Sequence, residues 1–131
     1  MALAGRKVDD AARRRFAEDQ QTAERLPDLV RAVAEAEEAL ERAQREGADY
    51  AELHRRGVAL DTALTDAMRA AYAQERVLIG PRGYVDRIYR RKRLATPKVR
   101  HATETAERLL TAREHHRLHG IERLPRSPAA V

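Results

Sequence analysis

The chain has 131 residues, 36% of them charged, and a formal net charge of +5, so self-repulsion does not prevent it from folding as one domain. Alanine is its commonest apolar residue and Trp is absent, which favours a helical protein with a thin core. The lack of cysteine excludes disulfides and thiolate zinc sites, and no apolar run in the sequence is long enough to cross a membrane.

The first two predicted helices follow from acidic first turns and a heptad pattern. Asp9 and Asp10 begin a helix that runs to about Arg25, because acidic side chains stabilise the positive end of a helix dipole. Pro27 breaks or restarts the helix. A second helix is expected from about residue 28 to residue 46, with a heptad seam formed by Leu26, Leu29, Val33, Ala36, Leu40 and Ala43.

A third helix is predicted from about Asp49 to Ile79. Gly47 is placed to end the helix before it, and Asp49 with Glu52 forms a capping pair for this one. Its own seam comprises Leu53, Gly57, Leu60, Leu64, Ala67, Ala71, Gln74 and Leu78. Two seams joined by a short loop predict an antiparallel helical hairpin, and its small seam residues favour self-association.

Two further helices are expected after Gly80-Pro81, which ends the hairpin sharply. The first is a basic helix over residues 84–95, with Val85, Ile88 and Tyr89 facing inward. Thr96 as N-cap and Pro97 in the first turn then begin a last helix that runs to about residue 119.

These elements predict an all-α fold, in which a coiled-coil-like antiparallel hairpin lies within a bundle of about five helices. The expected organisation is an N-terminal helix (1–25), the hairpin (26–79), a basic two-helix segment (80–120) and an irregular Pro-containing tail (121–131).

Charge is distributed unevenly along the chain. Residues 1–79 carry 13 basic and 16 acidic side chains, whereas residues 80–131 carry 13 basic and 5 acidic ones. Arginine binds phosphate bidentately and tyrosine stacks on bases, so the basic segment is the candidate site for nucleic acid or an acidic partner. The candidate binding residues are Arg82, Arg87, Tyr89, Arg90, Arg91, Lys92, Arg93, Lys98 and Arg100. The acidic hairpin is the other potential partner of this segment.

Two motif interpretations concern the last helix. Together with the basic helix it could form a helix-turn-helix that offers Lys98, Arg100, His101, Thr103 and Arg108 to a DNA groove. Arg113 and His119, separated by five residues, resemble the Arg–His catalytic motif of HEPN-type ribonucleases, although Glu114 stands where that family has Asn, Asp or His. The resemblance implies RNA cleavage that depends on His119. His115 and His119 have the spacing of two metal ligands, but no third ligand is evident.

The pattern as a whole favours a protein that is not an enzyme. Ser127 is the only serine, and no phosphate-binding glycine loop is present. We expect an assembly or adaptor subunit that docks through its acidic hairpin and its basic C-terminal half, as a homo-oligomer or within a larger bacterial or phage structural complex. The alternative is a small DNA- or RNA-binding regulator that uses residues 82–100. No cofactor, metal, membrane or small-molecule substrate is expected, and the expected location is the cytoplasm or a virion particle.

Overall fold

The computed structural model describes residues 7–122, which form five α-helices and one 3₁₀ turn. No strand occurs within these residues, so the predicted all-α bundle is confirmed. None of the helices described is long and apolar enough to cross a membrane. The elements in chain order are α1 (Asp10–Glu24), α2 (Leu26–Arg45), α3 (Tyr50–Ile79), the 3₁₀ turn (Pro81–Tyr84), α4 (Arg87–Leu94) and α5 (Pro97–His119).

The long helix α3 is the centre of the bundle, and α1, α2 and α5 all pack along it. The hairpin of α2 and α3 is closed by Gly47, whose φ of 67° ends α2 in the left-handed conformation that the sequence predicts. Both predicted seams face inward. The buried cluster of the hairpin consists of Val33, Leu40, Leu60, Leu64 and Ala67, with Leu29, Ala36, Leu53, Ala63 and Leu109 packed against it.

Helix α1 precedes α2 with only Arg25 between them, and like α2 it packs antiparallel to α3. Arg25, at the junction between them, keeps near-helical dihedral angles, and α2 begins two residues before the predicted start. Asp19 lies 26 residues before Arg45, where the hairpin loop begins, and Arg76 lies 26 residues after Tyr50, where the loop ends. The two side chains are hydrogen-bonded to each other, as expected for residues at equal distances from the loop. The first helix therefore packs on the end of α3 that leads into the basic segment.

The basic segment differs from the single helix predicted over residues 84–95. Pro81–Tyr84 forms the 3₁₀ turn, and α4 begins only after Asp86, whose extended backbone redirects the chain and whose carboxylate accepts the amide of Tyr89. The prediction that Ile88 faces inward is wrong, since this side chain is 70% exposed. Val85 and Tyr89 are half-buried. The later start of α4 turns Tyr89 and Arg93, rather than Ile88, toward the bundle.

Helix α5 runs antiparallel to α3 over the length of the bundle. Thr96 occupies its N-cap position, but the Thr96 hydroxyl donates to the carbonyl of Arg93 and makes no cap hydrogen bond. Arg117 near the end of α5 bonds Asp61 in the first half of α3, at 2.6 Å from Nε. Of the predicted irregular tail, Ile121 and Glu122 are non-helical, and residues 123–131 lie outside the described part.

Candidate anion-binding site

The candidate binding residues gather where the 3₁₀ turn, α4 and the first turn of α5 meet. We call the exposed cations of this region the basic corner. Helix α4 packs only lightly on the bundle and has no buried residue, so its side chains are largely presented to solvent. The members of the basic corner are Arg82, Arg87, Arg90, Arg91, Lys92, Lys98 and Arg100.

Most of the basic corner has no compensating carboxylate in the part of the chain that the structure describes. Arg82 is the exception, because it pairs with Asp86 at 3.1 Å and lies 4.9 Å above the ring of Tyr89. The six other cations have no acidic oxygen within 4.0 Å among these residues. The acidic hairpin therefore does not neutralise the basic corner within one chain.

Arg93 belongs to the predicted binding set but is turned toward the bundle. Its Nη2 donates to the carbonyl of Leu78 at 2.8 Å, in the last turn of α3, and its buried Nε has no hydrogen-bond partner within residues 7–122. Arg93 thus ties α4 to the end of α3, since the last carbonyls of a helix need donors from elsewhere. Its guanidinium is not presented on the outer surface with those of Arg87 and Arg91.

A cleft of about 300 Å³ opens beside the basic corner, between α1, the end of α3 and α4. Arginines from all three helices line it, and the ring of Tyr84 forms part of one wall, with the guanidinium of Arg15 5.1 Å from its centroid. The lining residues are Arg15, Arg76, Ile79, Gly80, Gly83, Tyr84 and Arg90. Of these lining residues, only Arg90 is among the candidate binding residues named from the sequence.

One carboxylate organises the wall of this cleft. Asp19 accepts two hydrogen bonds from Arg76, 2.8 Å from Nε and 3.1 Å from Nη2, and a third from the hydroxyl of Tyr84. Burial opposes the ionisation of Asp19, but the hydrogen bonds from Arg76 and Tyr84 outweigh it and lower its pKa. Burial and the bond to Asp19 raise the pKa of Tyr84, so this hydroxyl stays protonated and donates.

The sequence carries almost no sign of this cleft. Arg15, Asp19 and Arg76 are ordinary charged residues of predicted helices, and they meet only because α1 packs antiparallel on α3. Their convergence depends on tertiary packing over more than 50 residues of separation, which helical periodicity does not encode.

The structure also shows the positions of residues from the two motifs considered in the last helix. Thr103, which a helix-turn-helix would offer to a groove, instead donates to the buried carboxylate of Glu75 at 2.6 Å. The Nε of Arg113 donates a hydrogen bond of 2.8 Å to the hydroxyl of Thr65 on α3. His119 is exposed beside His115, with their ring centroids 5.0 Å apart. Between Lys7 and Glu122 no group of three His, Asp or Glu side chains is arranged to hold a metal ion.

Comparison with protein-family models, with curated proteins and with solved structures finds no significant match to this chain.

Proposed function

We propose that the protein is a non-enzymatic binding module that docks through its basic corner on the phosphate backbone of a nucleic acid. The observation that supports this proposal is the accumulation of six exposed cations without a carboxylate partner among the described residues. Such a cluster concentrates positive potential on one surface and attracts polyanions, and releasing counterions from nucleic acid adds to the binding free energy.

The outer face of α4 is suited to contacts with phosphates rather than with bases. Arg87 and Arg91 are one helical turn apart and both exposed, so their guanidinium groups can reach neighbouring phosphates. Tyr89, the one aromatic residue of α4, is half-buried beneath Arg82 and has little free ring surface for stacking. We therefore expect binding that depends strongly on salt and weakly on nucleotide sequence.

A matched pair of charge reversals tests the proposal. Arg87→Glu with Arg91→Glu changes the basic corner. Arg45→Glu with Arg55→Glu makes the same change in net charge in the helical turns beside the hairpin loop, about 35 Å or more along α3 from its end at Ile79. Fluorescence anisotropy with a labelled 20-nucleotide RNA and a DNA duplex, at 50 and at 300 mM salt, measures the dissociation constants. We expect the first pair to abolish binding and the second to weaken it only modestly; equal effects would contradict the proposal.

Assembly through opposite charges is the second candidate function, and the outer surface of α2 favours it. Its exposed acids include Glu35, Glu37 and Glu41, and the basic corner lies on other elements of the bundle. Head-to-tail contact between copies would bring the two surfaces together and would build rings or filaments, as in a structural complex.

Light scattering of the purified chain at low salt and at about 500 mM salt separates the two candidates, because surface ion pairs are screened at high salt. A multimer that dissociates at high salt and is lost with Arg87→Glu and Arg91→Glu would favour assembly. A monomer at both salt concentrations that still binds the oligonucleotides would favour the nucleic-acid module.

A further inference from the structure

The cleft beside the basic corner is a feature separate from the outer face of α4. Three arginines on three different helices, Arg15, Arg76 and Arg90, line a space of about 300 Å³. Asp19 is the carboxylate bonded in its wall, so the charges around the cleft leave an excess of two positive charges. Like charges repel at short range, and an arrangement of this kind is stabilised by an anion placed between them.

Two of the three arginines keep their donors for a ligand. Asp19 is occupied by Arg76 and Tyr84, and Arg15 stacks over the ring of Tyr84 rather than pairing with a carboxylate. Neither Arg15 nor Arg90 has an acidic oxygen within 4.0 Å in the described ranges of the chain. Each guanidinium presents up to five N–H donors in a planar fork that matches a phosphate.

The wall behind these arginines is held in place by contacts within the fold. The Asp19 carboxylate fixes both the Arg76 guanidinium and the Tyr84 hydroxyl, and its side chain is only 16% exposed. Gly80 and Gly83 also line the cleft, and neither has a side chain to fill it. The wall itself therefore does not have to be ordered when a ligand binds.

We propose that this cleft binds a phosphoryl group, held by Arg15 and Arg90 against the wall formed by Arg76 and Tyr84. Guanidinium groups stay charged at every physiological pH and bond phosphate oxygens through charge-assisted hydrogen bonds. The volume lies at the lower end of small-molecule sites, which accommodates a phosphate with a small substituent. The group is carried either by a free small molecule or by the 5′ end of a nucleic acid. The site goes beyond the proposed function, because Arg90 is the one residue that the cleft shares with the basic corner.

Calorimetric titration with inorganic pyrophosphate in 50 mM sodium chloride tests the proposal directly. Arg15→Gln and Arg90→Gln remove one cleft arginine each, and Arg13→Gln on α1 and Arg69→Gln on α3 are matched controls outside both the cleft and the basic corner. All four side chains belong to exposed residues, so the fold is expected to persist, and circular dichroism checks it. We expect the cleft variants to weaken pyrophosphate binding by about tenfold or more, because each loses charge-assisted hydrogen bonds, and the controls to change it by about twofold or less.

A second titration compares a 5′-phosphorylated hexanucleotide with its 5′-hydroxyl form. Tighter binding of the phosphorylated form, lost in Arg15→Gln, supports the site and identifies a nucleic-acid end as the source of the phosphate. Equal binding of both forms, with pyrophosphate binding that depends on Arg15 and Arg90, supports the site and identifies a free small phosphate. The proposal is overturned if pyrophosphate does not bind and the hexanucleotides are not distinguished, or if the cleft variants bind like the controls. Since Arg15 lies on α1, outside the basic corner, the result with Arg15→Gln is independent of the test of the basic corner.

Discussion

Arg76 of α3 and Asp19 of α1 are joined by two hydrogen bonds, of 2.8 and 3.1 Å, across 57 residues of sequence. The same carboxylate accepts the hydroxyl of Tyr84, so two helices and the 3₁₀ turn meet at one side chain. The pair fixes α1 against the end of α3 and shapes the wall of the cleft.

Replacing Asp19 by alanine is expected to lower the free energy of unfolding by about 1–2 kcal/mol, because Arg76 and Tyr84 lose a charged acceptor in a part-buried position. Urea unfolding followed by circular dichroism measures the change. Asp66→Ala, at an exposed position of α3, the helix that carries Arg76, is the control and should change the free energy of unfolding by about 0.5 kcal/mol or less. If both variants unfold alike, the Asp19–Arg76 pair does not hold α1 in place.

The stabilisation from Asp19 should depend on pH in a defined direction. Burial opposes its ionisation, yet the hydrogen bonds from Arg76 and Tyr84 lower its pKa below the ordinary value of 3.8. A lowered carboxyl pKa contributes stability that is fully present above the ordinary pKa and is lost as the pH falls through the lowered one. The difference in unfolding free energy between the wild type and Asp19→Ala should therefore stay constant from pH 7 to about pH 5 and shrink below about pH 4. A difference that is the same at pH 7 and at pH 2.5 would contradict this role of the charged form.

The hairpin could be predicted from the sequence because its information is local and periodic. Residues such as Leu40, Leu60 and Leu64 recur at heptad spacing and are buried, and Gly47 and Asp49 end and begin helices through their own backbone and side-chain chemistry. Each of these features depends on neighbours within one or two turns of helix. Helix boundaries in this region accordingly differ from the predicted ones by only one or two residues.

The basic segment was harder to predict because its sequence allows two starts for the helix, one directly after Gly83 and one after Asp86. Asp86 caps α4 and delays its start, which moves Ile88 to the surface and turns Arg93 toward Leu78. The cleft could not be predicted at all, since Arg15 and Arg76 come together only through the packing of α1 on α3. Charge composition indicated an anion-binding region, but it did not indicate which side chains remain exposed.

Gly80 is expected to tolerate no side chain, although nothing in the structure lies within 4 Å of the Cβ that alanine would add. Its φ of 102° and ψ of 169° lie in a region that is essentially restricted to glycine. We expect Gly80→Ala to cost about 1–3 kcal/mol of unfolding free energy. Gly47→Asn is the control, because φ of 67° is a left-handed conformation that asparagine adopts readily. Chemical denaturation of both variants measures their free energies of unfolding, and Gly80→Ala should lose more than Gly47→Asn. An equal loss in the two variants would contradict the view that the backbone angles of Gly80 require glycine between α3 and the 3₁₀ turn.

Arg93→Met tests how α4 is held on the bundle. Methionine keeps an apolar stem of similar length but removes the hydrogen bond to the carbonyl of Leu78 and, with it, the buried Nε that has no partner in the described residues. These two changes oppose each other, so the global free energy of unfolding should fall by only about 1 kcal/mol or less. The amides of α4 should nevertheless exchange with solvent faster, because this short helix has no buried residue and few other contacts with α3. Arg87→Met, at an exposed position of α4, should leave that exchange unchanged. Hydrogen exchange measured by NMR distinguishes the outcomes, and unchanged protection of α4 in Arg93→Met would show that the contact with Leu78 does not anchor the helix.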